Sequence, residues 1–407
     1  MAGVNLLTDG IQAGAVIPTD LSRKVTLGGI TKAYPVYKVR LDYLYYNNQN
    51  DRIATWISQY RSEHSGQMPS VDNIEEYNDI IQKFIIESNP KSIRTTTDNI
   101  REYDQREAAV VLADGRIIDG NRRFTCLRIL SKENEKFNYL ETVILDSTQG
   151  QNEKQIKMLE LSIQHGEEGK IDYNTVDTLV GLYHDVVETH LLSVVEYARS
   201  TNDKPGNVRK HIEVATLMVE YLEFINAPKQ YHIVRDMQLI FPLEELNRML
   251  KKCQSNEEAE DLKVCVFTNI LMRTSSDLGR FVRKIKDVLT TEYYEEYITE
   301  QKEIAAHVLD ILPPVGSVDS DSLRNTVKSN TAIAQELERS LEKALSKAQH
   351  NESQNRPLQI LEDASTLLST ISIEMFDDFS SDSFVPIKEK ISEIEIKLNK
   401  LKEYIGE

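Results

Sequence analysis

The stretch VVLADGRIIDGNRRFTCLRIL, Val110 to Leu130, decides how this chain folds. Two runs of β-type residues flank Ala113-Asp114-Gly115, and an Asp-Gly pair in that setting is a hairpin signal because both turn positions tolerate positive φ. AAVVLADGRIID therefore reads as a β-hairpin. Beyond it Gly120 permits a close backbone approach, and Phe124, Leu127 and Leu130 recur at helical spacing, so a helix opens at Asn121. Its first turn holds Asn121, Arg122 and Arg123, beside the unsatisfied N–H groups and positive end of the helix dipole. A cation there is disfavoured by about 0.3–1 kcal/mol unless an anion joins it. Two adjacent arginines in that place read as a phosphate clamp. The plainer alternative pairs them with Asp104, Glu107 or Asp119. On the residues alone the two readings stand level.

Working outward, YPVYKVRLDYLYY alternates like a strand over Val36 to Leu41, followed by the turn cluster NNQND. Ile53, Trp56, Ile57 and Tyr60 then share one helical face, as do Ile74, Tyr77, Ile81 and Phe84. Residues 1–33 are weakly patterned and are expected to form an N-terminal arm. From about Asn152 nearly every segment reads as helix, interrupted by turn-rich stretches at Leu312–Ser322 and His350–Pro357. The expected organisation is an arm at 1–33, an α+β domain at 34–165, a mainly α-helical domain at 166–312, and a helical, coiled-coil-like tail at 313–407. In the tail Ile387, Ile391, Ile394, Leu398, Leu401 and Ile405 follow steps of four and three, with Pro386 at the first turn. Leu323, Val327, Asn330, Ala334, Leu337, Leu341, Ala344 and Ala348 keep the same alternation. Two such seams imply a helical hairpin or a homodimer through the C-terminal helices.

With 407 residues, of which 40% are hydrophobic, the chain supports two or three cores. Cys126, Cys253 and Cys265 are far apart without a C-x-x-C pair, which argues against a disulfide framework or a zinc site, and a reducing cytoplasm is the expected location. No uncharged apolar run of about 18 residues exists, so no membrane span is expected. The net charge of −17 opposes non-specific adhesion to nucleic acid, and any contact with it must come from a confined basic patch.

The order of strand, Asn/Arg turn, helices, DQREAAVVLADGRIIDGNRR and helix resembles the N-terminal domain of the ParB and sulfiredoxin superfamily, over about residues 34 to 165. Gly120-Asn121-Arg122-Arg123 stands at that family's Gly-Glu-Arg-Arg phosphate motif. YYNNQNDRI is similar to its first box, which implies Asn48, Gln49, Asn50 and Arg52 near a nucleotide, and Gln105 falls where the family has a Gln ahead of a strand. The resemblance implies a nucleoside triphosphate, CTP with magnesium as in ParB proteins or ATP as in sulfiredoxins. One box departs: against the family's Glu-Asn-x-Gln-Arg this chain has Leu161-Ser162-Ile163-Gln164-His165, where only Gln164 matches and Glu160 is one position out of register. Asn121 occupies the sulfiredoxin cysteine position, and Cys126 reads as a small core residue.

ParB-like proteins usually continue into a helix-turn-helix, and VVEYARSTNDKPGNVRKHIEVATLM has a comparable plan. Ala198 suits the tight crossing, Asn202 the turn with positive φ, and Val208 the buried position of a second helix starting near Pro205. Lys204, Asn207, Arg209 and Lys210 would then face a major groove. His211 is expected to be partly buried. The expected function is a ParB-like, nucleotide-binding, DNA-associated regulator. Alternatives are a phosphotransferase or nuclease of the same fold, and a structural component of a phage-defence or mobile-element complex.

Overall fold

The computed structural model describes residues 4–27, 30–146, 153–166, 175–272, 277–377 and 383–406. Strands β1 (Val16–Leu27), β2 (Ile30–Arg40), β3 (Tyr45–Tyr46), β4 (Ala109–Leu112), β5 (Arg116–Asp119) and β6 (Tyr139–Leu145) make one mixed sheet in the order β1-β2-β6-β4-β5-β3. The β4–β5 pair is the antiparallel hairpin that its Asp-Gly turn demands, and Asp114 Oδ1 accepts the Arg116 N–H at 2.9 Å within the turn. The chain then returns through a helix to lay β6 parallel to β4.

Residues 1–33 are not an arm. β1 pairs with β2 along its whole length, with an irregularity between Pro18 and Ser22, and forms one edge of the sheet. Most of its side chains are exposed, so its apolar periodicity is too weak to announce a strand. The strand expected at Val36–Leu41 is the second half of the longer β2.

Helices α1 (Ala54–Glu63), α2 (Ile74–Ser88), α3 (Pro90–Tyr103) and α4 (Asn121–Leu130) cover one face of the sheet. The opposite face packs against α5 (Glu153–Gly166) through Val110, Leu112, Ile118, Val143 and Leu159. β4 is therefore buried on both sides, Ala109 and Val111 facing one layer, Val110 and Leu112 the other. That is why its sequence is continuously apolar rather than alternating.

The rest is helical: α6 (Thr175–Leu182), a π-helical turn at Tyr183–Glu188, α7 (Val194–Ser200), α8 (Pro205–Phe224), α9 (Tyr231–Met237), α10 (Ile240–Leu250), α11 (Asn256–Met272), α12 (Leu278–Leu289), α13 (Tyr294–Asp310), α14 (Ser320–Ser329), α15 (Thr331–Ser369) and α16 (Phe384–Ile405). One hydrophobic core runs from Val176 through Leu312, Leu323 and Leu337 to Ala344. The seam Leu323–Ala344 thus faces this core rather than another chain, and no break between cores falls at 313. Nor does the helix stop at the expected linker around Pro357, which lies inside α15. Among the described residues no helix is long and apolar enough to cross a membrane.

Candidate functional site

Gly120 opens α4 in the left-handed region, φ +105°, and an added Cβ would sit 2.7 Å from the Ala109 side chain. Only glycine fits that crossing of helix and strand. No side chain caps α4. Asn121 is 9% exposed, and its Oδ1 is buried without a hydrogen-bond partner.

The arginines part company at this helix start. Arg123 donates to Asp119 at 2.8 Å and to Glu107 at 3.0 Å. Arg23, from β1, reaches the same Asp119 oxygen at 3.0 Å and also donates to the Ala108 carbonyl. The anion that offsets the dipole at Arg123 is thus supplied by the protein itself, which is the plainer of the two sequence alternatives. Arg122 lies instead on the side of α4 where its charge acts on the Cys126 thiol, whose pKa burial pushes up. That thiol is fully buried and packed in the core, as its sequence position suggested.

The remaining nucleotide-box residues are engaged in local structure. Asn50 is buried, and its Oδ1 accepts the Arg52 N–H at 3.1 Å as the cap of a short 3-10 turn. Gln105 spends both amide hydrogens on backbone, donating to Glu107 O at 2.7 Å and Glu141 O at 2.6 Å, and accepts the Glu141 N–H. It fastens the approach to β4 onto β6. Gln164 donates to Glu160 at 3.0 Å. A cavity of about 620 Å³ opens at the far end of α4, walled by Arg40, Asp42, Asn73, Arg128, Lys132 and neighbours. Neither Asn50, Arg52, Gln105, Gln164 nor any of Gly120 to Arg123 lines it.

Beside Gln49 and Gln164 lies a buried charge network that the sequence reading missed. Lys157 of α5 is 6% exposed at its side chain and contacts Asp51 at 2.8 Å and Asp185, in the π-helical turn, at 3.4 Å. It also donates to the Gln49 carbonyl. Glu160, one turn on, accepts from Asn47 at 3.3 Å. Burial alone would lower the Lys157 pKa, but Asp51, Glu160 and Asp185 together raise it above the ordinary lysine value. Burial lifts Glu160 to about 7 and Asp185 to about 6, against the pull of Lys157. Asp177 of α6 accepts the Thr55 N–H at 2.8 Å, and burial pushes it up to about 7. Gly181 keeps this joint closed, since a Cβ there would run into the Asp51 carboxylate. Lys157, Glu160 and Gln164 follow a 3–4 spacing that reads as a solvated helix face. No apolar pattern marks its burial.

A second face of α5 carries the helix pair. Leu161 packs with Leu182, Leu192, Tyr197, Ala198 and Val208 in a small separate core, and Lys154 pairs with Glu196 of α7 at 2.6 Å. Ser193 and Glu196 form a capping box that starts α7. Asn202 takes φ +53° in the turn, and Ala198 and Val208 are each 1% exposed. Pro205 lies in the first turn of α8. Lys204, Asn207, Arg209 and Lys210 all face solvent, and so does His211, contrary to the expected partial burial. His211 lies on the same outer face as Lys210 and Asn207, so no apolar residue is called for there. Asn207 donates to Asp203 at 2.9 Å.

Of the neighbouring acids, Glu213 pairs with Lys251 at 2.6 Å while also feeling the Lys210 charge, Glu196 pairs with Lys154, and Asp203 accepts the Lys204 N–H. Among the described residues Arg199, Lys204, Arg209 and Lys210 form no ion pair. One helix, α5, thus touches both the box at Asn47–Asp51 and the α7–α8 unit.

The chain matches no family model and none of the curated proteins.

Proposed function

We propose that this protein is a DNA-associated regulator that lays the first turns of α8 against duplex DNA. One observation carries the reading: Lys204, Arg209 and Lys210 stand exposed without ion pairs at the start of a helix braced through a tight turn on α7. In a chain of net charge −17, three cations gathered at one exposed helix start form the kind of confined basic patch that an external anion needs. Lys204 and Lys210 suit phosphates, while the Arg209 fork and the Asn207 amide suit base edges. The resemblance to ParB-like proteins supports the same assignment. Titrating a labelled duplex with the wild type and with Lys204→Ala/Arg209→Ala/Lys210→Ala tests it. The variant is expected to bind at least about tenfold more weakly, given roughly 1.4 kcal/mol or more over the three lost contacts. Equal affinities sink the reading.

Nucleoside triphosphate binding, CTP or ATP, at the α4 start is the companion reading, favoured by the uncapped helix N-terminus, whose N–H groups can donate to a phosphate. A phosphate held there must draw Arg123 away from Asp119 and Glu107, whose carboxylates repel it. Contact between α5 and both units gives a bound nucleotide a physical route to α8. Following the unfolding midpoint with each of the four NTPs tests the site, since a ligand at 100 times its dissociation constant adds about 2.7 kcal/mol. A rise that disappears in Arg122→Ala supports it, and a flat response to all four removes it. A phosphotransferase or nuclease would need a general base here, and Asp119 and Glu107 are both held in ion pairs.

A further inference from the structure

α15 has two halves of opposite character. Its first half is sunk in the body, with Leu337 at 0% and Leu341 at 1% exposure. Past the last contacts with α13, where Lys347 pairs with Glu296 at 2.6 Å, the helix runs on into solvent with its apolar side chains uncovered. Leu361 is 43% and Leu368 47% exposed, and Ile371, just past the helix end, 53%. α16 buries no residue at all, yet it carries the most regular seam of the chain, with Ile391 at 51%, Leu398 at 40% and Leu401 at 50% exposure. Apolar stripes of this kind mark contact surfaces, because a solvated helix of this length has little stability of its own.

Charge chooses the occupant. In the heptad of α16, Ile391 and Leu398 take one seam position and Ile394 and Leu401 the other, which puts Lys388, Lys390, Lys397 and Lys402 on the seam's edges with Glu395 as the lone acid. Two α16 helices paired in parallel would set Lys397 of one against Lys402 of the other. The outer half of α15 past Arg356, by contrast, carries Glu362 and Asp363 and no lysine or arginine, and Glu374 and Asp377 follow beyond the helix end.

We propose that a second copy of this chain covers these faces, α16 of each copy lying on the outer half of α15 of the other. Within one chain both stripes stand open, and a two-fold exchange closes both at once by self-complementary contacts. The edge lysines, of which Lys390 and Lys397 also pair with Glu393 of their own helix, then meet Glu362 and Asp363 on each side.

Light scattering after size exclusion of the full chain tests this. The wild type is expected to run as a dimer with an unfolding midpoint that rises with protein concentration, and Leu398→Asp/Leu401→Asp as a folded monomer whose midpoint does not, because those side chains are exposed in the single chain. Glu362→Lys/Asp363→Lys is expected to weaken the dimer by about tenfold at low salt, the size of a few exposed charge pairs. Adding Lys388→Glu/Lys390→Glu to that chain is expected to restore it. A monomeric wild type, or a dimer indifferent to the leucine changes, overturns the proposal. So does an α15 charge reversal without effect, which would leave α16 pairing with itself.

Discussion

Replacing Lys157 by Met removes the central cation of a buried cluster while keeping the length of its aliphatic stem. Its ammonium lies 2.8 Å from Asp51 and 3.4 Å from Asp185. At an effective dielectric of about 20 each such contact is worth about 5–6 kcal/mol gross. Desolvation of the lysine offsets several kcal/mol of this, so removing one partner of such a pair costs about 3–5 kcal/mol. The loss must depend on pH. Glu160 and Asp185 titrate at about 7 and about 6 even with Lys157 present, and without it they hold protons more tightly still. Near pH 5 Glu160 and Asp185 are neutral and the variant loses least. Near pH 8 they must be buried as charges or pull the joint open. Urea unfolding of both proteins at the two pH values measures this as a shift in midpoint at constant slope. A loss below about 1 kcal/mol, or one equal at both pH values, refutes the assignment of Lys157 as the counter-charge of the joint.

Two further outcomes follow from neighbouring residues. Gly120→Ala must hold φ +105° with a Cβ against Ala109, and calorimetry should show a loss of about 1–3 kcal/mol for the backbone with overpacking of similar size added. Because the folded-state pKa of Asp177 is raised, folding binds its proton: that stability is complete below the usual carboxylate pKa and is lost as pH rises through about 7. Asp177→Asn keeps an acceptor for the Thr55 N–H and should flatten the fall in unfolding midpoint between pH 5 and 8; an unaltered slope contradicts this.

The hairpin and the helix after it were legible because local signals agree there: the Asp-Gly turn, a glycine at the crossing, and Phe124, Leu127 and Leu130 on one face. The small helix pair was legible for the same reason, since Ala198, Asn202 and Val208 each answer a steric demand within a dozen residues. Edge and interface defeated the reading elsewhere. β1 shows one side to solvent and carries an irregularity at Pro18–Ser22, which blurs its alternation. Arg123 finds Asp119 and Glu107 only once the sheet is assembled, and Lys157 finds Asp51 and Asp185 across long stretches of chain. A polar helix face looks the same in sequence whether it meets water or a buried carboxylate.

The most direct test of the DNA contact is the salt dependence of wild-type binding to a duplex. Each phosphate neutralised contributes about 0.9 to the fall of log K with log salt, so Lys204 and Lys210 on one site give a slope of about −1.8, or twice that for two copies bound together. A slope near zero, or no binding at low salt, contradicts the account.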